Sequence, residues 1–288
     1  MAGFANTLEL VDALTDDGQS WIGSFRKVPS QATTAGVWVD LSMAAGMPAP
    51  QYYAAAPLEA ATLDGSKGLD HGRDVAPARK FLATSLVMGA HANVNTATSF
   101  MFADLLMYYP FIDTDSLDQQ DLVQSTTLPR YTDGVGVQII LVALAPYVAG
   151  GSITVEYTNS EGVAGRSTGL VVMNSAGSIA NLMTGGSVAG GHGPFLPLQS
   201  GDLGVRSVES VTCTAPNAGL AALVLVKPLA TTQLSDASLQ SCAEKDHLLE
   251  GGMLMPRIED GAYLSLLAQT NASIAAQQIM GTITTVWG

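Results

Sequence analysis

Val137–Val148 reads VQIILVALAPYV, Ala149–Gly150–Gly151 follows it, and Ser152–Thr158 then reads SITVEYT. The first stretch is a continuous apolar run of strand-like length, as expected for a strand buried on both faces or at a sheet centre. The second alternates, with Ile153, Val155 and Tyr157 on one face and Thr154, Glu156 and Thr158 on the other. With two glycines between them, the two stretches predict a β-hairpin and point to a mainly β fold.

A second hairpin is predicted downstream. Gly204–Thr214 (GVRSVESVTCT) supplies its first strand, Pro216–Asn217–Ala218–Gly219 the turn, and Leu220–Lys227 (LAALVLVK) the return. Val205, Val208 and Val211 are three apart, which breaks strict alternation and predicts a bulge near Val208–Glu209. Working outward, Lys80–Met88, Ser99–Tyr109, Ala262–Gln269 and Gln278–Trp287 also read as strands. In the last of these Ile279, Ile283, Thr285 and Trp287 share a face.

Two helices are expected. Asn6 and Glu9 resemble a capping box, Leu8, Val11 and Leu14 follow at helical spacing, and Gly18 ends the pattern. Ser235 or Asp236 caps a second candidate that carries Leu239, Cys242 and Leu249 and stops at Gly251–Gly252. Eight to ten strands without alternating helices indicate an antiparallel β-sandwich, jelly-roll-like, rather than a βαβ fold.

From Trp21 to about Leu63 the chain runs through Pro29, Gly36, Gly46, Pro48, Pro50 and Pro57, with Trp38, Tyr52 and Tyr53 interspersed. So long an irregular stretch reads either as an extended arm lying against a partner or as a wrapping of the chain's own core. The expected organisation is an N-terminal helix and extended arm over residues 1–64 and a β-sandwich domain over 65–288. Gly65–Pro77 forms a polar linker or loop.

Of 288 residues, 47% are hydrophobic and only 13% charged, against the roughly 25% charged of an average soluble protein. Such a surface suits one partly covered by neighbours. The net charge of −13, with only 12 Lys and Arg, argues against nucleic acid and against anionic membranes as partners. The first eighteen residues lack a basic segment of secretory type, and no apolar run reaches the ~20 residues that span a bilayer. Cys213 and Cys242 are too few for a disulfide framework, and Cys213, in a strand-like run, reads as a buried free thiol.

The candidate chemistry is thin. Gly185–Gly193 (GGSVAGGHG) lacks the Lys-Ser/Thr ending of a phosphate loop and resembles a nucleophile elbow only in part, so it reads as a surface loop. His71, His91, His192 and His247 show no paired metal spacing and read as loop or surface histidines. The patch Asp113, Asp115, Asp118 and Asp121 fails the calcium-loop pattern, which needs Gly where Asp118 stands and Glu where Gln124 stands, and reads as a turn or a single helical turn. No catalytic, cofactor-binding or metal residue is assigned, and no enzyme activity is expected.

Pro194–Val211 (PFLPLQSGDLGVRSVESV) together with Leu223–Leu229 (LVLVKPL) resembles segments of tailed-bacteriophage virion structural proteins, best between about Val137 and Leu229. The resemblance implies a decoration or minor head protein of a phage particle. It would sit in the virion, assembled in the host cytoplasm, as a homo-oligomer bound to the major capsid protein or other virion proteins. It transfers no functional residue. The alternative from the residues is a receptor- or glycan-binding fibre or tail module, with Tyr52, Tyr53 and Tyr131 as the exposed aromatic candidates.

Overall fold

The computed structural model describes residues 3–15, 18–29, 32–90, 98–185, 193–234, 242–249, 255–273 and 277–288. One α-helix, α1 (Thr7–Thr15), precedes the strands. These are β1 (Ser20–Val28), β2 (Trp38–Asp40), β3 (Ala45–Met47), β4 (Ala61–Thr62), β5 (Lys80–Ala90), β6 (Thr98–Asp113), β7 (Gln120–Asp121), β8 (Gln138–Ala143) and β9 (Gly151–Asn159). They continue with β10 (Arg166–Ser167), β11 (Val171–Met173), β12 (Val205–Cys213), β13 (Leu220–Leu234), β14 (Cys242–Asp246), β15 (Arg257–Ile258), β16 (Leu264–Thr270) and β17 (Gln278–Trp287).

Among the described residues the strands form three sheets, and every pairing between these strands is antiparallel. Sheet I has the order β14-β5-β17-β1-β3, with β15 beside β5. Sheet II runs β10-β9-β12-β7, with β11 beside β9, and sheet III runs β2-β16-β6-β13-β8, with β4 beside β6. The chain is therefore mainly β, packed as an antiparallel sandwich, as its patterning predicts.

The long strands β6 and β13 form a spine. Towards one end Phe100 and Phe102 share a core with Leu82, Val87, Ile279 and Ile283 of sheet I. Towards the other end Tyr109, Leu223 and Leu225 share a core with Val155, Tyr157, Val208 and Val211 of sheet II. The opposite face of the spine, with Leu105, Tyr108, Val224 and Val226, is covered by Trp38, Tyr53, Leu63 and Leu182. The unbroken apolar runs follow from this. In β8, Ile139 and Leu141 face sheet II while Ile140 and Val142 face the other way.

Neither predicted hairpin pairs with itself. β8 joins sheet III while β9 joins sheet II, and β12 and β13 divide in the same way. The segments 144–150 and 214–219 are arches between layers about 10 Å apart. The physical reason lies in the faces. β8 and the first half of β13 need apolar cover on both sides, and β9 and β12 each offer one apolar face. Beside β8 in one sheet, β9 would turn Thr154, Glu156 and Thr158 into a core. Opposite β8, it covers with Ile153, Val155 and Tyr157 and leaves the polar residues outward. Pro146, with no N–H to donate, also stops β8 from continuing.

The predicted bulge is present. The register of β12 on β9 shifts between Val208 and Ser210, leaving Glu209 unpaired, and shifts again between Val205 and Ser207.

The irregular segment Trp21–Leu63 wraps the chain's own core. β1 pairs with β17 along most of its length, and Val37, Trp38, Leu41, Tyr53 and Leu63 are buried. Polar groups hold it in place. Lys27, 2% exposed, donates Nζ to the carbonyls of Ser42 (3.4 Å), Ala44 (3.2 Å) and Pro48 (2.7 Å). Asp40, fully buried, accepts from Ser42 N (2.8 Å), Ser42 Oγ (2.7 Å) and Tyr53 Oη (2.5 Å). Burial brings Lys27 down to about 8 against the pull of Asp40, and it pushes Asp40 up, opposed by its hydrogen bonds. These bonds add to the few ladder bonds in a stretch where Pro29, Pro48, Pro50 and Pro57 have no N–H to donate.

Two helix expectations change. α1 forms where predicted, with Asn6 Oδ1 accepting from Glu9 N (3.0 Å) and Glu9 reaching back to Ala5 N (2.7 Å). Its buried residues, however, are Leu10 and Ala13, and Leu8, Val11 and Leu14 face outward. In the second candidate, Cys242–Asp246 is strand β14 on the edge of sheet I, because its backbone pairs with Thr84–Met88. The caps Ser235 and Asp236, with Leu239 and the stop Gly251–Gly252, lie outside the described residues.

Candidate functional site

Several buried ionisable groups fasten loops to the sheets. Asp104 stands on the spine between Phe102, in the core with sheet I, and Leu106, in the core with sheet II. Arg130 clamps it with Nε (2.8 Å) and Nη2 (2.7 Å) and also reaches the Leu105 carbonyl (3.1 Å), while Tyr263 N donates to the same carboxylate (2.9 Å). The pair fastens the loop around Arg130 at the junction of the two cores.

On sheet II, Asp202 accepts from Tyr157 Oη (2.6 Å), Asn159 Nδ2 (2.7 Å) and Arg166 Nε (3.0 Å). Arg166 foremost, with the other donors, holds this carboxyl down at about 2.

Both described histidines lie on loops, as expected, but are buried rather than at the surface. His71 is 6% and His247 2% exposed. His71 bonds Ala262 O through Nε2 (3.0 Å) and meets Lys80 Nζ through Nδ1 (3.0 Å), which makes Nε2 the donor and Nδ1 the acceptor. His247 Nε2 pairs with Ser85 Oγ (3.0 Å), and burial foremost lowers it to about 4, so it is neutral at pH 7. His91, His192 and the run 186–192 lie outside the described residues.

The acidic patch is a turn, as expected. Asp113 Oδ1 accepts from Asp115 N (2.9 Å), and Gln120 bonds both the N–H (2.9 Å) and the carbonyl (2.8 Å) of Asp113. Cys213 is a buried free thiol raised by burial to about 11, and Cys242 is exposed. Of the three aromatic candidates only Tyr52 is exposed, at 66%. Tyr53 fills a core, and Tyr131 packs against one with its ring under Lys227 Nζ.

Among the described residues, nine of the exposed large hydrophobic side chains gather in three separate places. The first is the outward stripe of α1, Leu8, Val11 and Leu14, on a helix whose other side packs on Ala83 and Val286 of sheet I. The second comprises Leu117, Val148 and Leu220. Leu220 pairs opposite Asp113, Thr114 N bonds Gly219 O (3.2 Å), and Ala149 N bonds Asn217 Oδ1 (2.9 Å), which brings the three loops to one end of the sandwich. The third comprises Val135, Val163 and Leu203, on loops joined by Gly136 N to Leu203 O (2.8 Å), Asn159 N to Val163 O (3.0 Å) and Ser160 N to Gly204 O (2.9 Å). The second and third groups flank opposite ends of β9, which at the rise of an extended strand are about 27 Å apart.

Sequence patterning picked out Leu8, Val11 and Leu14 as the helical stripe of α1 and passed over the loop groups. The loop groups had a signal, because Leu203 sits between Asp202 and Gly204 and Val163 after Gly162, where turns usually carry polar residues.

No family model matches the chain, and no curated protein matches it. Among solved structures, a chain in the structure of infectious bursal disease virus, Gt strain, is similar at 8% identity and a TM-score of 0.18, over 99% of this chain and 83% of that one. A likeness at that score carries no argument about this protein.

Proposed function

We propose that this chain is a structural subunit of a virus particle, most concretely a decoration or minor head protein of a tailed bacteriophage, and not an enzyme. In this reading it resides in the virion, assembled in the host cytoplasm, and contacts the major capsid protein or other virion proteins as well as copies of itself. The observation that supports it is the spread of exposed apolar groups over three separate places. Single exposed hydrophobics are ordinary, whereas grouped ones mark contact surfaces. A subunit of a closed symmetric shell meets neighbours on several sides, and many weak repeated contacts add up to firm attachment.

Charge agrees. A net −13 is repelled by packaged DNA, which favours the outer face of the shell. The resemblance of Pro194–Val211 to phage virion proteins points the same way.

The test is quantitative mass spectrometry of gradient-purified particles. The chain is expected there in copy numbers that are multiples of the shell symmetry. Abundance in infected lysate with absence from particles overturns the reading.

A further inference from the structure

A cleft of about 400 Å³ opens where the start of β1, the loop Asp70–Arg73 and the end of β17 meet. It is lined by Trp21 and Trp287 with Asp70, Arg73, Gly72 and Ser20. Trp21 is 45% exposed, whereas Trp287 is 7% exposed and shows the cleft only part of its ring. The volume lies in the range of roughly 300–1,000 Å³ usual for small-molecule sites.

The loop that carries the polar groups is fixed from behind. His71 points inward to Ala262 and Lys80, and its carbonyl accepts from buried Thr285 Oγ1 (3.0 Å). Its neighbours Asp70, Gly72 and Arg73 thereby face the cleft side. Asp70 Oδ1 accepts from Gly72 N (3.0 Å), which shapes the turn. Gly72 has φ +80°, and a Cβ there would stand 3.0 Å from Trp21 Cβ and Cγ, so the indole is backed directly by main chain. A Cβ on Gly23 would fall 1.8 Å from Asp70 O, so β1 abuts the loop with no room for a side chain. Arg73 is held twice, by Nη2 to Gly18 O (3.3 Å) and by its guanidinium lying 5.6 Å from the centre of the Trp287 ring. Trp287 N bonds Gln19 O (3.0 Å), which closes the third side.

We propose that this cleft binds a neutral pyranose residue of an oligosaccharide. A pyranose is amphipathic in the same way as the cleft. Its axial C–H face stacks on an indole, whose face carries partial negative charge, and its equatorial hydroxyls point sideways to hydrogen-bonding groups. Trp21 supplies the stacking face, Asp70 the acceptor, and Arg73, seated over the Trp287 ring, the donor for adjacent hydroxyls. Because Asp70, Arg73 and the indoles are held before any ligand arrives, little ordering entropy opposes binding. Asp70 and Arg73 offset each other within the cleft, so the net −13 of the chain is what disfavours anionic sugars. The proposal stands on the cleft alone and does not depend on the role of the chain in a particle.

The full chain is tested against an immobilised array of neutral and anionic oligosaccharides. The strongest neutral binder is then titrated by calorimetry into the wild type, Trp21→Ala and Asp70→Asn. The side-chain amide oxygen introduced by Asp70→Asn can still accept from Gly72 N, so the second variant keeps the turn even if the first disturbs folding. The expected result is saturable binding of a neutral oligosaccharide that weakens at least tenfold in Trp21→Ala and at least fivefold in Asp70→Asn, with thermal midpoints unchanged. No neutral binder at millimolar concentration, binding that survives both substitutions, or binding confined to anionic glycans each overturns the proposal.

Discussion

Val208 sits at the bulge of β12, where the ladder is interrupted and its backbone groups need other partners. Tyr109 Oη accepts from Val208 N (3.1 Å) and donates to Gln124 Oε1 (2.8 Å), and Gln124 Nε2 donates to Val208 O. Tyr109→Phe keeps the ring and strands a buried N–H, so it is expected to cost about 1–3 kcal/mol. Denaturant unfolding checks this, and a midpoint equal to the wild type would show that the bulge does not depend on Tyr109. Arg130→Ala leaves the buried Asp104 without its partner, with an expected loss of about 3–5 kcal/mol in the same assay. Asp202 titrates at about 2 when folded against an ordinary 3.8. A carboxyl lowered by folding gives stability that is present above 3.8 and is lost as pH falls towards 2. The thermal midpoint of the wild type should therefore drop between pH 4 and pH 2 by more than that of Asp202→Asn. Parallel profiles would remove Asp202 as the acid-sensitive group.

At the scale of elements, α1 separates stability from surface function. Leu10 is buried against sheet I, and Leu10→Ala is expected to cost about 2–5 kcal/mol. Serine at Leu8, Val11 and Leu14 together removes only exposed apolar groups, and each change is expected to alter stability by no more than about 0.5 kcal/mol. The same triple variant should enter particles at least tenfold less efficiently in a complementation experiment read by mass spectrometry. The helix itself was legible, because Asn6 and Glu9 set its start. Which face it buries was not, since Leu10 and Ala13 form a smaller apolar stripe than Leu8, Val11 and Leu14. The strands were legible for the same kind of reason, and the three-residue spacing of the valines in β12 announced its bulge. Their pairing was misread as local. The one-faced pattern of β9 beside the two-faced run of β8 already implies different sheets, because neighbours in a sheet share their faces. β1 escaped notice because its inward residues include Gly23 and Lys27, which no apolar alternation reveals.

Across the whole molecule, the cores on either side of β6 and β13 tie the first sixty residues to the last forty. What reads as an irregular arm along the chain is the cover of a sheet in three dimensions. Composition bears on the surface only through its low charge, which accords with the proposed covered exterior. The grouping of Leu117 with Val148 and Leu220, and of Val135 with Val163 and Leu203, depends on loops far apart in sequence and is visible only once the arches are placed. The cleft at Trp21 and Trp287 joins the two ends of the chain and was equally out of reach of a linear reading. In the proposed role these apolar groups are contacts between subunits. Cryo-electron microscopy of the intact particle, at a resolution that places side chains, measures that directly. It should show neighbours seated on the α1 stripe and on both loop groups. A particle in which the chain is present with all three groups facing solvent would contradict it.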